Sequence, residues 1–158
     1  MYENLILTTT TSQSSVNNQQ QSIKWTFLGA NLAARLGKAV ASLIGREYRL
    51  QDLEQAQHGK TVRCSYEAGV KSVPLRAIRG SESRSQDFDN HFRPLQQHTQ
   101  SRWESVAKAR INGVALPAVD LVKVGENYYV RDGHHRISVA SVLGQESIDA
   151  KVVVEEFE

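Results

Sequence analysis

The chain has 158 residues, 40% of them apolar and 23% charged, which is the balance of a globular protein with one modest core. A count of 19 basic against 17 acidic residues leaves a net charge of +2 and excludes a strongly basic nucleic-acid arm as the dominant feature. The single cysteine, Cys64, excludes an intrachain disulfide framework and any multi-cysteine zinc site, and it fits a reducing, cytoplasmic compartment.

Near the start, Leu5-Ile6-Leu7 is too short for the apolar core of a secretory signal. Residues 8–22 are Thr, Ser, Gln and Asn with one valine. They bury too little apolar surface to offset chain entropy, so residues 1–22 are expected to form a disordered tail. A helical N-terminal extension follows over 23–70. Leu28, Leu32, Leu36, Val40, Leu43 and Ile44 recur at helical spacing, with Lys24, Arg35 and Lys38 elsewhere and Arg46 and Arg49 beyond. Those charges interrupt the apolar run short of the roughly 20 residues a transmembrane span needs. Such a stripe packs on its own domain or on a second copy, making a homodimer; the competing reading is a membrane surface or a partner. Gly29 and Gly37 weaken the helix. A short second helix is expected over Leu50–Gln57, stopped by His58-Gly59, and Thr61–Tyr66 has mixed strand character with Cys64 as a small buried apolar residue.

The compact domain is expected over 71–158. Lys71 to Ile78 alternates apolar and polar, as a half-buried strand does, and Pro74 favours an edge. A polar loop runs from Arg79 to Asn90. Pro94 opens a helix with Trp103, Val106, Ala107 and Ile111 on its apolar stripe, and Asn112-Gly113 ends it. Strands over Leu116–Val124 and Tyr128–Arg131 form a hairpin. The helix after Asp132-Gly133 reaches Leu143 and stops at Gly144. Ile148–Val154 closes the domain as a strand, and the acidic end Glu155-Glu156-Phe157-Glu158 is expected in solvent. This order predicts an α+β fold with a small mixed sheet and packed helices.

The chemistry concentrates where the hairpin meets the last helix. A helix start leaves N–H groups without intrahelical partners, and its dipole favours an anion. Arg136 suits a forked contact with phosphate oxygens, with an ion pair to Asp132 or Asp149 as its structural alternative. Asp132 can cap the helix, orient Mg²⁺ or accept a proton. Gly133 permits a sharp turn and close approach of a ligand. His134 and His135 diverge by about 100° around a helix, so they do not ligate one metal together, and no metal site is expected.

These residues carry a resemblance. The segment Tyr129-Val130-Arg131-Asp132-Gly133-His134-His135-Arg136-Ile137-Ser138-Val139-Ala140, with Val73–Ile78 as a first strand, resembles the ParB/sulfiredoxin superfamily over roughly Ser72 to Val154. The resemblance implies that this turn contacts the phosphates of ATP or CTP and that the loop after the first strand completes the pocket. Gly133, His134, His135 and Arg136 would then bind nucleotide, joined by Arg84. Sulfiredoxins carry their reactive cysteine where this chain has His134, so sulfinic-acid repair is not expected. ParB partitioning proteins continue into a helix-turn-helix region, whereas this chain ends at Glu158, so centromere-like recognition is not expected either. The Asp-Gly-His-His-Arg form is most similar to the free-serine kinases of the superfamily. That likeness implies Glu82 as base for a small hydroxyl substrate and Asp132 as a second catalytic carboxylate, with ATP, ADP or CTP and Mg²⁺ as cofactors. The alternative is a non-catalytic nucleotide-responsive module binding DNA or protein through the basic surplus from Lys71 to Arg110. A ParB-like nuclease is a third reading, without a carboxylate pair at recognisable spacing.

Overall fold

The computed structural model describes residues 3–45, 47–57 and 59–158, with side chains from residue 15 onward, so Arg46 and His58 lie outside the described residues. The elements are α1 (Glu3–Ile44), β1 (Gln51–Asp52), α2 (Leu53–Gln57), β2 (Val62–Pro74), β3 (Ile78–Ser81), α3 (Gln100–Ile111), β4 (Val119–Val124), β5 (Asn127–Asp132), α4 (His134–Val142) and β6 (Ser147–Phe157). They build the expected α+β class around one six-stranded mixed sheet of order β1-β3-β5-β4-β6-β2. The β1/β3, β3/β5 and β4/β6 pairs are parallel, while β4/β5 and β2/β6 are antiparallel.

Period-2 burial sorts the sheet into two faces. Val119, Leu121, Val130 and Ala150 pack with Phe88 and Ile137 under α4. Val122 and Tyr129 turn the other way, onto Leu53 of α2. Trp103 and Ala107 of α3, Val139 of α4 and Ile23 and Phe27 of α1 form a further cluster. There the Phe27 and Trp103 rings meet edge to face at 5.5 Å, and Trp103 Nε1 donates to Ser138 Oγ.

Several local expectations are corrected. The strand anticipated over Lys71–Ile78 is two strands: β2 ends at Pro74, a 3-10 turn spans Leu75–Ala77, and β3 begins at Ile78. Pro74 has no N–H to continue the ladder, which accounts for the break. Position 70/71 therefore lies within β2. Gly80, in the expected polar loop, is instead a strand residue buried between β1 and β5, where a Cβ would strike the Gln51 carbonyl and the Tyr129 ring. The helix after Pro94 starts six residues later than that proline, preceded by a 3-10 turn over Gln97–Thr99. Pro94 is buried instead, and its carbonyl accepts from Asn31 Nδ2 at 2.8 Å. Cys64 is exposed, not buried, because residues 62–67 of β2 are exposed on both faces. The acidic end is not free: Glu155, Glu156 and Phe157 continue β6 against that part of β2.

The largest revision concerns α1. It runs unbroken through Gly29 and Gly37, and its bounds reach back from the expected helical segment to Glu3. Among the described side chains of α1, from residue 15 onward, the first buried one is Ile23. Once the docked part is helical, each added residue gains a hydrogen bond without a new nucleation cost. The face that docks is Ile23, Phe27, Asn31 and Ala34, while every member of the expected leucine stripe is exposed. Packing of that stripe on its own domain is thereby overturned. The segment Ser15–Ile44 is long and apolar enough, by length and composition, to cross a membrane, although Phe27 and Ala34 are fully buried against the domain.

Candidate anion site at the start of α4

Parallel β3 and β5 end side by side at Ser81 and Asp132, so the loop after β3 and the turn after β5 meet at the same edge. Gly133 forms that turn at φ 99°, a left-handed conformation that favours glycine. A Cβ there would lie 2.5 Å from Val119 Cγ1. Gly133 also occupies the cap position of α4, and no side chain caps the helix. The first hydrogen bond into the helix runs from Ile137 N to Gly133 O. The amides of residues 134–136 thus keep the partial positive charge of an uncapped N-terminus.

Asp132 does not cap. Its carboxylate accepts from Arg136 Nη2 at 2.6 Å, while Arg136 Nη1 donates to the carbonyls of Pro117 and Ala118 at 2.7 and 2.8 Å. The structural alternative for Arg136 is the one realised: the guanidinium ties α4 to the segment before β4. Glu82 is likewise engaged, accepting a two-pronged contact from Arg131 Nε and Nη2 at 3.0 and 3.1 Å. Arg131 reaches Glu155 as well. Both carboxylates singled out for proton handling therefore lie in ion pairs.

The histidines are buried and point inward. Ser81 Oγ lies 2.7 Å from His134 Nε2 and also accepts from the amides of Ser83 and Arg84. With both lone pairs of the hydroxyl occupied, its proton points to Nε2, so His134 is neutral with its own proton on Nδ1. Burial, reinforced by Arg84, pushes His134 down to about 4. Burial also lowers His135 to about 4, with Arg102 and then Arg84 adding to the effect. Both rings contact Phe88, one stacked and one edge-on. His135 Nδ1 is buried without a hydrogen-bond partner among the described residues.

The same electrostatics identify residues that sequence reasoning missed. Arg102 on α3 and His98 just before it bear on His135 alongside Arg84. They were invisible because α3 is brought to this edge only by its packing on α4. Ser81 was missed because a lone serine at a strand end has no sequence signature. Arg84 is about half exposed and is paired with Asp87 across 3.8 Å. Among the described residues no group of three or more His, Cys, Asp or Glu could hold a metal.

A cleft of about 650 Å³ lies elsewhere, at the opposite end of β3 and β5, lined by Arg49, Arg76, Arg79, Glu126 and others. None of the predicted site residues borders it. Arg136 borders a smaller cleft of about 140 Å³ together with Arg110 and Asp149.

No protein-family profile matches the sequence, and no curated protein matches it. Among solved structures, sulfiredoxin from Arabidopsis thaliana is similar, with 22% identity over 52% of this chain and 82% of that one and a TM-score of 0.40.

Proposed function

We propose that this chain is a ParB/sulfiredoxin-superfamily domain whose α4 corner binds the phosphate groups of a nucleotide. The observation that supports this reading is the uncapped start of α4, with no side chain answering its amides and with the Arg84 and Arg102 charges acting on its buried His135. Oriented amides and a guanidinium together favour a phosphate oxygen. Gly133 lets the backbone approach closely, and the neutral histidines shape the corner without adding charge. In this reading Arg136 is a positioning residue, because its donors hold the turn. Arg84, paired only loosely with Asp87, is the side chain free to swing onto a ligand.

The nucleotide is ATP, ADP or CTP. Transfer of its phosphate to a small hydroxyl acceptor, or its hydrolysis, requires Glu82 to leave Arg131 or Asp132 to leave Arg136 before either can accept a proton. The paired state of both carboxylates favours, as a second reading, a module that binds nucleotide without turnover and responds to it by engaging DNA or a protein.

Thermal unfolding with ATP, ADP, CTP and pyrophosphate, each with and without Mg²⁺, tests the binding. A ligand at 100 times its Kd is expected to add about 2.7 kcal/mol of apparent stability, and Arg84→Ala is expected to remove most of that gain. No stabilisation by any of the four ligands would overturn the reading. Where binding is found, phosphorylated product from free serine or a related alcohol identifies a kinase, inorganic phosphate identifies a hydrolase, and neither identifies the module.

A further inference from the structure

We propose that the outer face of α1 is a docking surface for a bilayer containing anionic lipid, with the helix lying in the plane of the membrane. At 100° per residue, Trp25, Leu28, Leu32, Leu36, Val40 and Leu43 fall within a sector of about 120°. The docked residues Ile23, Phe27 and Ala34 lie on the opposite side. The six outward side chains are 70, 41, 59, 59, 56 and 86% exposed. Taking roughly 150–250 Å² as the surface of a large apolar side chain, they leave on the order of 700 Å² free. That exceeds the roughly 300–600 Å² of the largest apolar patch on a typical monomer.

Charge selects the occupant. Residues 15–44 contain Lys24, Arg35 and Lys38 and no acidic residue. Lys24 and Arg35 fall on one flank of the apolar sector, about 20° apart and within about 40° of Leu28, whereas Lys38 falls at the angle of the docked face, between Phe27 and Asn31. Anionic headgroups would meet Lys24 and Arg35 while the apolar sector sinks to the acyl boundary. A second copy of residues 15–44 would bring three more cations and no carboxylate to answer them. Trp25, at the N-terminal end of the sector, is the residue type that settles at headgroup level. A spanning arrangement is disfavoured despite the length of the helix. It would strip Phe27 and Ala34 from the domain, break the Asn31 contact to Pro94 and place Arg35 and Lys38 in hydrocarbon. Lying flat retains every docked contact and covers only what is now exposed.

The test uses the full chain with vesicles of phosphatidylcholine alone or mixed with phosphatidylglycerol. Cosedimentation is expected with the mixed vesicles, weakening as salt rises. The emission of Trp25 should shift to the blue on binding. Trp103, the other tryptophan, is fully buried and supplies a constant background, so Trp25→Phe should abolish the shift. The pair Leu32→Glu and Leu36→Glu should abolish binding. Neutralising Lys24 or Arg35 to Gln should each lower the partition coefficient about fivefold, and Lys38→Gln should lower it less. All these side chains are exposed, so far-UV circular dichroism and melting should be unchanged, and quenching of wild-type Trp25 by brominated lipid provides a readout without substitution. No binding to phosphatidylglycerol vesicles overturns the proposal, as does binding that survives the double glutamate variant. A concentration-dependent dimer lost in that variant, without vesicle binding, would assign the face to a second copy instead.

Discussion

The two ends of the helical layer use their polar and apolar groups in opposite ways. At the start of α4 nearly every side chain is committed within the fold: Arg136 to two carbonyls and Asp132, His134 to Ser81, and both imidazoles to the Phe88 ring. What remain uncommitted there are the first amides of the helix and the buried Nδ1 of His135. On α1 the backbone is satisfied by helix and six large apolar side chains remain without cover. One region is therefore suited to a small anion that seeks N–H groups, the other to an extended surface that seeks hydrocarbon. The contrast shows that residue type alone does not mark a binding surface; what the fold leaves unsatisfied does.

That contrast can be broken or sharpened by substitution. The largest effect is expected from Phe27→Ala on the docked side of α1. Phe27 is fully buried against Trp103, so the loss should be about 3–5 kcal/mol by denaturant titration. Should α1 undock first, the same change would appear as early proteolysis near residue 27 with the sheet still folded.

Gly133→Ala follows, at about 3 kcal/mol, because the new methyl group meets Val119 while the backbone keeps a positive φ. A destabilisation under 1 kcal/mol would show that the turn has room to relax and that the corner is not tight.

Acid should act on the same corner. His134 and His135 titrate near 4 in the fold and near 6.5 when unfolded, so between those values the unfolded chain binds more protons. Stability is then fully present above about pH 6.5 and is lost as pH falls toward 4, by about 3 kcal/mol for each imidazole. His135→Phe should flatten that dependence by about half, read as melting temperature against pH. An unchanged slope would mean that carboxylates, not imidazoles, set the acid limit.

The smallest effect is expected on the outer face of α1, where Leu36→Ser should change stability by no more than about 0.5 kcal/mol. Equal losses for Leu36→Ser and Phe27→Ala would show that the leucine face is covered in solution.

Local chain chemistry was enough to locate the hairpin, the Asp-Gly turn, the helix after it and its Gly144 stop, because short-range patterns and turn residues decide them. Spacing also showed that residues 23–44 are helical. It could not choose which face would dock, since Ile23, Phe27 and Ala34 recur at helical spacing just as Leu28, Leu32 and Leu36 do. Only the position of Trp103 on α3 decided that question, since it offers an aromatic surface that Phe27 fits. In the same way the sequence marked Arg136 and Glu82 as charged groups near a turn. Their engagement depended on Pro117, Ala118 and Arg131, which lie 19, 18 and 49 residues away from the groups they bind. Ion pairing and face selection are contacts between segments distant in the chain, and such contacts are settled when the sheet and helices pack, not by the residues on either side.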